Sequence, residues 1–248
     1  MKILVRLFCL LGAALPGVCQ TTMQYASTTP RTLDSNLSQA RTLSLTERHV
    51  LPLFGEQRKT SEQIEEEIRF LSDCDKSFAN REEASVFFAT RAWEYVQEGQ
   101  LDTATYRFNL AYLLNEKNVD AFWGLGVVSF QKEQFEAAER MLRKGVEIAP
   151  ENVPLIVDLS TVELRHFSQT NDRADLDESH QLLVHAARLD STYAQTFYNL
   201  AIAEFHREDF AKSWEALHTG RRLNFSLVDF QFVELLRAKL PDPEGFFK

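Results

Sequence analysis

The sequence is poor in the residues that build disulfide frameworks, tight turns and membrane spans. Its 248 residues include only 3 Cys, 9 Gly and 7 Pro. So few Gly and Pro argue against a barrel or sandwich, in which turns recur every few residues. Beyond the N-terminus, no run reaches the roughly 18 apolar residues that cross a bilayer. The 44% hydrophobic and 25% charged residues are typical of a globular core with a charged surface.

Motifs of catalysis and of metal or nucleotide binding are also missing. The chain has no Gly-rich phosphate loop, no HExxH and no CxxC. His180 and His185 are five residues apart, so on a helix they point to different sides and do not converge on a metal. We therefore expect no enzyme activity, no cofactor and no metal site.

The N-terminal residues 1–19 have the pattern of a secretory signal. Lys2 and Arg6 precede an apolar stretch that is too short for an anchor, and small residues come after it. Cleavage after Cys19 would release an exported bacterial protein into the periplasm or the medium. Acylation of Cys19 would instead tether a lipoprotein to the outer membrane, although Val18 before the Cys fits that pattern poorly. Both alternatives predict export.

The cysteine content predicts a fold without disulfides, and the net charge argues against one class of partner. Cys9 lies within the signal, and if Cys19 is also removed, Cys74 has no disulfide partner and the fold depends on packing. Asp73 and Asp75 flank Cys74 and oppose thiolate formation, so we expect an inert thiol. The net charge is −9, or about −11 without the signal. Such an acidic chain repels phosphate backbones, so we expect no nucleic-acid partner.

The segment before the first helix is rich in Ser and Thr. Residues 20–59 show no sustained apolar period, which predicts a flexible linker, although the stretch VLPLFGEQRK near its end can dock on the helices after it. Residues 60–84 predict an N-terminal capping helix. Thr60 and Gln63 form a capping box, and an apolar stripe with helical spacing begins at Ile64.

A pattern with a period of 34 residues extends over residues 85–227. Its copies are predicted at 85–118, 119–152, 153–193 and 194–227. The characteristic residues of the clearest copy are Phe122, Leu125, Gly126, Ala138, Leu142 and Pro150. The third copy has seven additional residues, which we place between its two helices, with Asp175 capping the second of them.

This pattern resembles the tetratricopeptide-repeat (TPR) family, W-x2-L-G-x2-Y…A-x3-F…P. The resemblance implies an all-α fold, a TPR-type α-solenoid of about four helical hairpins. Small residues let the paired helices approach closely, and each hairpin buries its apolar face against the next hairpin. The capping helix within residues 60–84 would close the front of the array. A C-terminal capping helix and tail, residues 228–248, would close its back.

The resemblance also implies a concave groove lined by the first helix of each repeat. Chaperone-binding members hold a carboxylate there with Lys, Arg and Asn, whereas this chain has Ala89, Trp93 and Trp123. The residues predicted to line a partner-binding groove are Trp93, Val96, Trp123, Val127, Phe130, Tyr198, Ile202 and Phe205. Three interpretations stay open: a packed core, a groove for an amphipathic helix or extended peptide, and aromatic stacking on a sugar.

The expected function is that of an exported TPR scaffold, which binds a protein or peptide partner through this groove and catalyses nothing itself. The alternative is a carbohydrate-binding or envelope-assembly accessory lipoprotein. Contact with a membrane is expected only through a lipid on Cys19.

Overall fold

The computed structural model describes residues 44–248, in which all regular secondary structure is helical. The predicted signal, Cys19 and most of the predicted linker lie outside these residues. The helices are α1 (Leu45–His49), α2 (Ser61–Ser77), α3 (Arg81–Gln97), α4 (Leu101–Leu114), α5 (Val119–Gln131), α6 (Phe135–Ile148), α7 (Val153–Thr170), α8 (Arg173–Leu189), α9 (Ala194–His206), α10 (Phe210–Leu223) and α11 (Phe230–Lys239). Two 3-10 turns cover Pro52–Glu56 and Phe225–Leu227. The predicted all-α class is confirmed.

Helices α3 to α10 form four hairpins, α3–α4, α5–α6, α7–α8 and α9–α10, and each hairpin packs on the next. The first helices, α3, α5, α7 and α9, also pack on one another, far more than the second helices do. The array therefore curves towards the layer of first helices, whose outer surface is concave. This is the predicted TPR-type solenoid.

The hairpins begin at similar caps and turn at a common backbone conformation. Asn80, Asn118 and Asn152 each accept a hydrogen bond from a backbone N–H three residues on, so α3, α5 and α7 start at Asn caps. The turn between the two helices of each hairpin contains one residue with a left-handed backbone. These residues are Gly99 (φ 73°), Glu133 (φ 60°), Asn171 (φ 59°) and Glu208 (φ 64°).

Small residues allow the helices to approach as the repeat pattern predicted. Ala104 and Ala138 are fully buried. A Cβ on Gly126 would lie 2.5 Å from Leu142 Cγ, and one on Gly124 would lie 2.0 Å from Phe108 Cζ. There is consequently no room for a side chain at either glycine.

The seven additional residues of the third repeat do not form a loop. Helix α7 has 18 residues where α5 has 13, and α8 has 17 where α6 has 14. The turn between α7 and α8 is correspondingly one residue shorter and consists of Asn171 and Asp172. The predicted cap at Asp175 was wrong, because Asp172 accepts the hydrogen bond from Ala174 N–H at the start of α8. The insertion extends an existing hairpin by about one turn in each helix.

Residues 44–56 differ from the predicted flexible linker, and we call them the strap. Leu53 and Phe54 are each only 6% exposed. Leu53 N–H donates to Asn109 Oδ1 of α4 at 2.8 Å, and Asn109 Nδ2 donates to the Leu51 carbonyl at 2.8 Å. Glu56 forms ion pairs with basic side chains of α6. The strap is held in place because Leu53 and Phe54 are buried and three of its backbone groups form hydrogen bonds with Asn109 of α4.

The front capping helix uses a different face from the predicted one. The capping box of Thr60 and Gln63 is present. However, Ile64 is 45% exposed and Ile68 is 59% exposed. Gln63 and Cys74 are buried instead, and Phe70 packs on the ring of Phe88 in α3. Burial raises the pKa of the Cys74 thiol, and the neighbouring carboxylates add to this effect.

The C-terminal end is closed by α11 and a tail that folds back on α10. Asp229 caps α11 and the helix ends before Pro241. The tail returns to α10, where Asp242 Oδ1 lies 2.7 Å from His218 Nε2 and Phe247 packs on Trp214. Within residues 44–248, no helix has the length and apolarity that crossing a bilayer requires.

Candidate partner-binding groove

The eight predicted groove residues all lie on the first helices, but their exposure divides them. Val96, Val127 and Tyr198 are 5%, 0% and 6% exposed, so they belong to the packed interior. The others are half-buried, with part of each side chain in contact with solvent. These half-buried residues are Trp93, Trp123, Phe130, Ile202 and Phe205.

The C-terminal part of the predicted groove is mainly structural. Tyr198 donates its hydroxyl to the Asn224 carbonyl at 2.9 Å, which fixes the end of α10. Phe205 packs on Phe210 of α10 and on Phe232 of α11, with ring centroids 5.6 Å apart in both pairs. For these two residues the core interpretation is the one that the contacts support.

The N-terminal part of the groove contains two adjacent indoles. Trp93 of α3 and Trp123 of α5 meet edge to face, with ring centroids 5.4 Å apart. Trp93 also meets Phe108 of α4 at 5.1 Å. Because both indoles are half-buried, each contributes to packing and also leaves apolar surface in the concave layer.

Asp158 of α7 lies beside the second of these indoles, Trp123, and was not identified from the sequence. Trp123 Nε1 donates to Asp158 Oδ2 at 2.6 Å. Burial raises the pKa of the Asp158 carboxyl to about 7, and the hydrogen bond from Trp123 acts in the opposite direction. The side chain is half-buried, so it lies deep in the concavity but still reaches solvent. The signal in the sequence was a single acid within the apolar stretch VPLIVDLSTV.

A second polar contact crosses the groove between α7 and α9. Asn199 Nδ2 donates to Thr161 Oγ1 at 2.8 Å, and the Thr161 hydroxyl donates in turn to the Val157 carbonyl at 2.9 Å. Gln195 Nε2 donates to Asn199 Oδ1 at 2.9 Å. These groups satisfy one another and hold the two helices together.

A cluster of charged residues centred on Arg143 joins α6, α7 and α8. Arg143 pairs with Glu139 at 2.7 Å, with Glu163 at 2.9 Å and with Glu178. Burial, aided by Glu139, raises the pKa of Glu163 to about 8, although Arg143 acts in the opposite direction.

His180, one of the two histidines considered above, forms a hydrogen bond with Glu204 at 2.9 Å. In the described part of the chain, no group of His, Cys, Asp and Glu could hold a metal ion.

No family model and no curated protein matches the sequence. Solved structures do resemble it. The TPR protein TTC0263 of Thermus thermophilus matches 65% of this chain and 93% of its own, with a TM-score of 0.55 and 15% identity. PilF of Pseudomonas aeruginosa matches 66% of this chain and 78% of its own, with a TM-score of 0.52 and 19% identity.

Two further structures extend the comparison. MamA of Desulfovibrio magneticus RS-1 matches 64% of this chain and 87% of its own, with a TM-score of 0.53 and 12% identity. An O-GlcNAc transferase of Thermobaculum terrenum matches 58% of this chain but only 27% of its own length, with a TM-score of 0.52 and 17% identity. A similar array can therefore be one part of an enzyme. At these identities the likeness shows the fold alone.

Proposed function

From the TPR-type solenoid fold of this chain, we propose that it is a scaffold that binds a protein or peptide partner on its concave surface and catalyses nothing itself. The fold itself supports protein interaction in general terms, since a rigid curved array offers an extended surface to a partner. The position of the binding surface rests on one further observation, the pair of half-buried indoles.

That observation is the apolar surface that Trp93 and Trp123 leave in the concave layer. Val86 on α3 adds to it and is 55% exposed. Exposed apolar and aromatic groups in a concavity are typical of a groove for a helix or an extended peptide. The polar groups nearby serve packing, since the Thr161 hydroxyl donates to the Val157 carbonyl and accepts from Asn199.

The test of this proposal is site-specific photo-crosslinking in the cells that express the full chain. A photoreactive residue is placed at Val86 or Gln131, which are exposed on the first helices. The matched controls are Glu147 on α6 and Gln181 on α8, exposed on the second helices. We expect the same crosslinked protein from both concave positions and from neither control. Crosslinking only from the controls would place the partner on the other surface and contradict the proposal.

Export is the second part of the proposal. It is supported by the sequence of residues 1–19, which has a charged start, an apolar centre and small residues before Gln20. Mass spectrometry of the purified protein's N-terminus distinguishes the outcomes. A start at Gln20 indicates a free periplasmic or secreted protein, an acylated Cys19 indicates a tethered lipoprotein, and an intact Met1 contradicts export.

A further inference from the structure

The groove contains a carboxylate for which the described part of the chain supplies no cation. Asp158 accepts one hydrogen bond, from Trp123, and forms no ion pair among the described residues. The basic side chains of the neighbouring elements are engaged elsewhere. Lys132 pairs with Asp102, and Arg165 lies over the ring of Phe135.

An unpaired acid at this depth is unusual for physical reasons. Removing a carboxylate from water without a cation costs free energy, so acids in such positions are normally paired. The attraction between opposite charges is also stronger here than at an open surface, because the local dielectric constant is lower. The raised pKa of Asp158 is the result of the same desolvation. A cation that enters the groove would offset this cost of desolvation.

The surroundings of Asp158 suit a cationic side chain in particular. The indole of Trp123 lies beside it and meets the indole of Trp93, and the face of an indole attracts ammonium and guanidinium groups. Asp120, one turn before Trp123 on α5, is a second carboxylate without an ion pair among the described residues. The chain as a whole is acidic, with a net charge of −9, and so attracts basic segments.

We propose that the concave groove captures its partner through a Lys or Arg side chain, whose cationic group pairs with Asp158 and lies against Trp93 and Trp123. This inference rests on the proposed function and adds the chemistry of the partner to it. A sugar would also stack on an indole, but its hydroxyl groups carry no charge and would leave Asp158 uncompensated.

The test uses the full chain and short peptides that differ at one position. The probes are acetyl-GALXLAG-amide, in which X is Arg, Lys, citrulline or Glu, and citrulline is the neutral counterpart of Arg. Binding is followed by NMR through the indole N–H resonance of Trp123. We expect the Arg and Lys peptides to bind at least about tenfold more tightly than the citrulline peptide, and the Glu peptide to bind least, because charged hydrogen bonds are stronger than neutral ones.

Three variants, each of which neutralises one carboxylate, show which acid produces the preference for the Arg peptide. Asp158→Asn keeps an oxygen acceptor for Trp123 and should abolish the preference for Arg over citrulline. Asp120→Asn should reduce the preference by a smaller factor. Glu147→Gln removes the same charge from the exposed surface of α6 and should leave the preference unchanged. A far-ultraviolet circular dichroism spectrum and a melting temperature like those of the wild type show that the variants are folded.

The contrary outcomes separate this inference from the proposed function. Equal binding of the Arg and citrulline peptides, a preference that survives Asp158→Asn, or no binding of any probe would overturn the cation mechanism. If crosslinking from Val86 and Gln131 still captures a protein, the scaffold function stands without it. If the Trp123 resonance responds only to neutral oligosaccharides, both proposals are wrong.

Discussion

Gly124 shows how closely a single residue is constrained in this array. The Phe108 ring lies where a side chain at position 124 would begin, and Phe108 is fully buried. In an isolated helix, Ala is more favourable than Gly by about 1 kcal/mol. In this protein, the contact with the ring opposes that preference.

We expect Gly124→Ala to lower the free energy of unfolding by about 1–3 kcal/mol, since overpacking a filled core displaces neighbouring side chains. Urea unfolding followed by circular dichroism measures the change. The control is the same substitution in a Phe108→Leu background, where the loss should shrink because the ring is gone. Stabilisation by Gly124→Ala in the wild-type background would show that the helix preference dominates and that the ring moves aside.

The second prediction concerns Asp158 and the pH dependence of the free energy of unfolding. Its pKa of about 7 in the folded chain lies above the value of about 3.9 in an unfolded chain. Between these values the folded state binds more protons than the unfolded state, so stability falls as pH rises through this range. Glu163, with a pKa of about 8, changes in the same direction.

Asp158→Asn removes the first of these contributions and keeps an acceptor for Trp123. We expect the stability of the variant relative to the wild type to increase by about 1–2 kcal/mol from pH 5 to pH 8, a value reduced for solvent screening. Thermal unfolding at the two pH values tests this. A difference that is the same at both would mean that Asp158 titrates normally.

Among the elements of the fold, the turns within the hairpins are the most uniform. Each places one residue in the left-handed region, where a side chain costs roughly 1–2 kcal/mol and glycine costs little. The first repeat has Gly99 there, whereas the second and fourth have Glu133 and Glu208. Neither Glu side chain has a hydrogen bond or ion pair among the described residues.

We therefore expect Glu133→Gly and Glu208→Gly each to stabilise the protein by about 0.5–1 kcal/mol, the relief of strain less the added freedom of the unfolded chain. The matched control is Gly99→Ala, which meets nothing within 4 Å and should destabilise by about 1 kcal/mol through backbone strain alone. Chemical denaturation of the three variants provides the comparison. Destabilisation in the Gly variants would contradict the strain argument.

The strap is the element that depends most on one side chain. Asn109 makes three hydrogen bonds to it, to the carbonyls of His49 and Leu51 and from the N–H of Leu53. The strap also contains left-handed residues at Leu53, Phe54 and Glu56. Strained backbone persists only where the surroundings hold it.

Asn109→Ala should accordingly release the strap. We expect faster amide exchange at Leu53 and Phe54, since Leu53 N–H loses its acceptor, and a global loss of about 1–3 kcal/mol from the unsatisfied groups. Hydrogen exchange with mass spectrometry measures both, and the amides of α9 and α10 serve as the internal control. Unchanged protection of the strap would mean that Leu53 and Phe54 hold it by burial alone.

At the scale of the whole molecule, each repeat contacts mainly its neighbours, so damage at one end should stay local. Removing residues 241–248 would uncover Trp214 and leave His218 without Asp242. We expect amide protection to fall in α9 and α10 and to persist in α3 to α6. Hydrogen exchange of the truncated chain tests this, and a uniform loss of protection would show that the array unfolds as one unit.

The fold was predicted well from the sequence inside the repeats and poorly at the ends of the array. The 34-residue period identified the helices and small contacts of the hairpins, because every internal repeat meets the same neighbours. It did not predict that Ile64 and Ile68 are exposed. A helix at the end of the array packs on a repeat from one side only, so the repeat pattern does not determine which of its faces is buried. The docking of VLPLFGEQRK was allowed by the sequence, but its partner Asn109 was not identified, because these contacts have no period.

The candidate groove was predicted only in part. Helical spacing placed Trp93 and Trp123 correctly on the first helices, but it did not separate them from Val127 and Tyr198, which are buried. Asp158 was not identified, because it falls at a repeat position that in the second repeat is Gly124. Its importance comes from a contact between two helices, and such a contact is absent from any single repeat.

The sequence by itself determined that the chain is helical and how its hairpins stack, because periodic burial of small and large residues is a local property that repeats. Only the tertiary structure decided which aromatic side chains are core and which remain open, where the strap lies, and that Asp158 meets Trp123. These features depend on the curvature of the array and on contacts between residues 35 or more positions apart. Periodicity does not encode such contacts, since they arise once and not in every repeat.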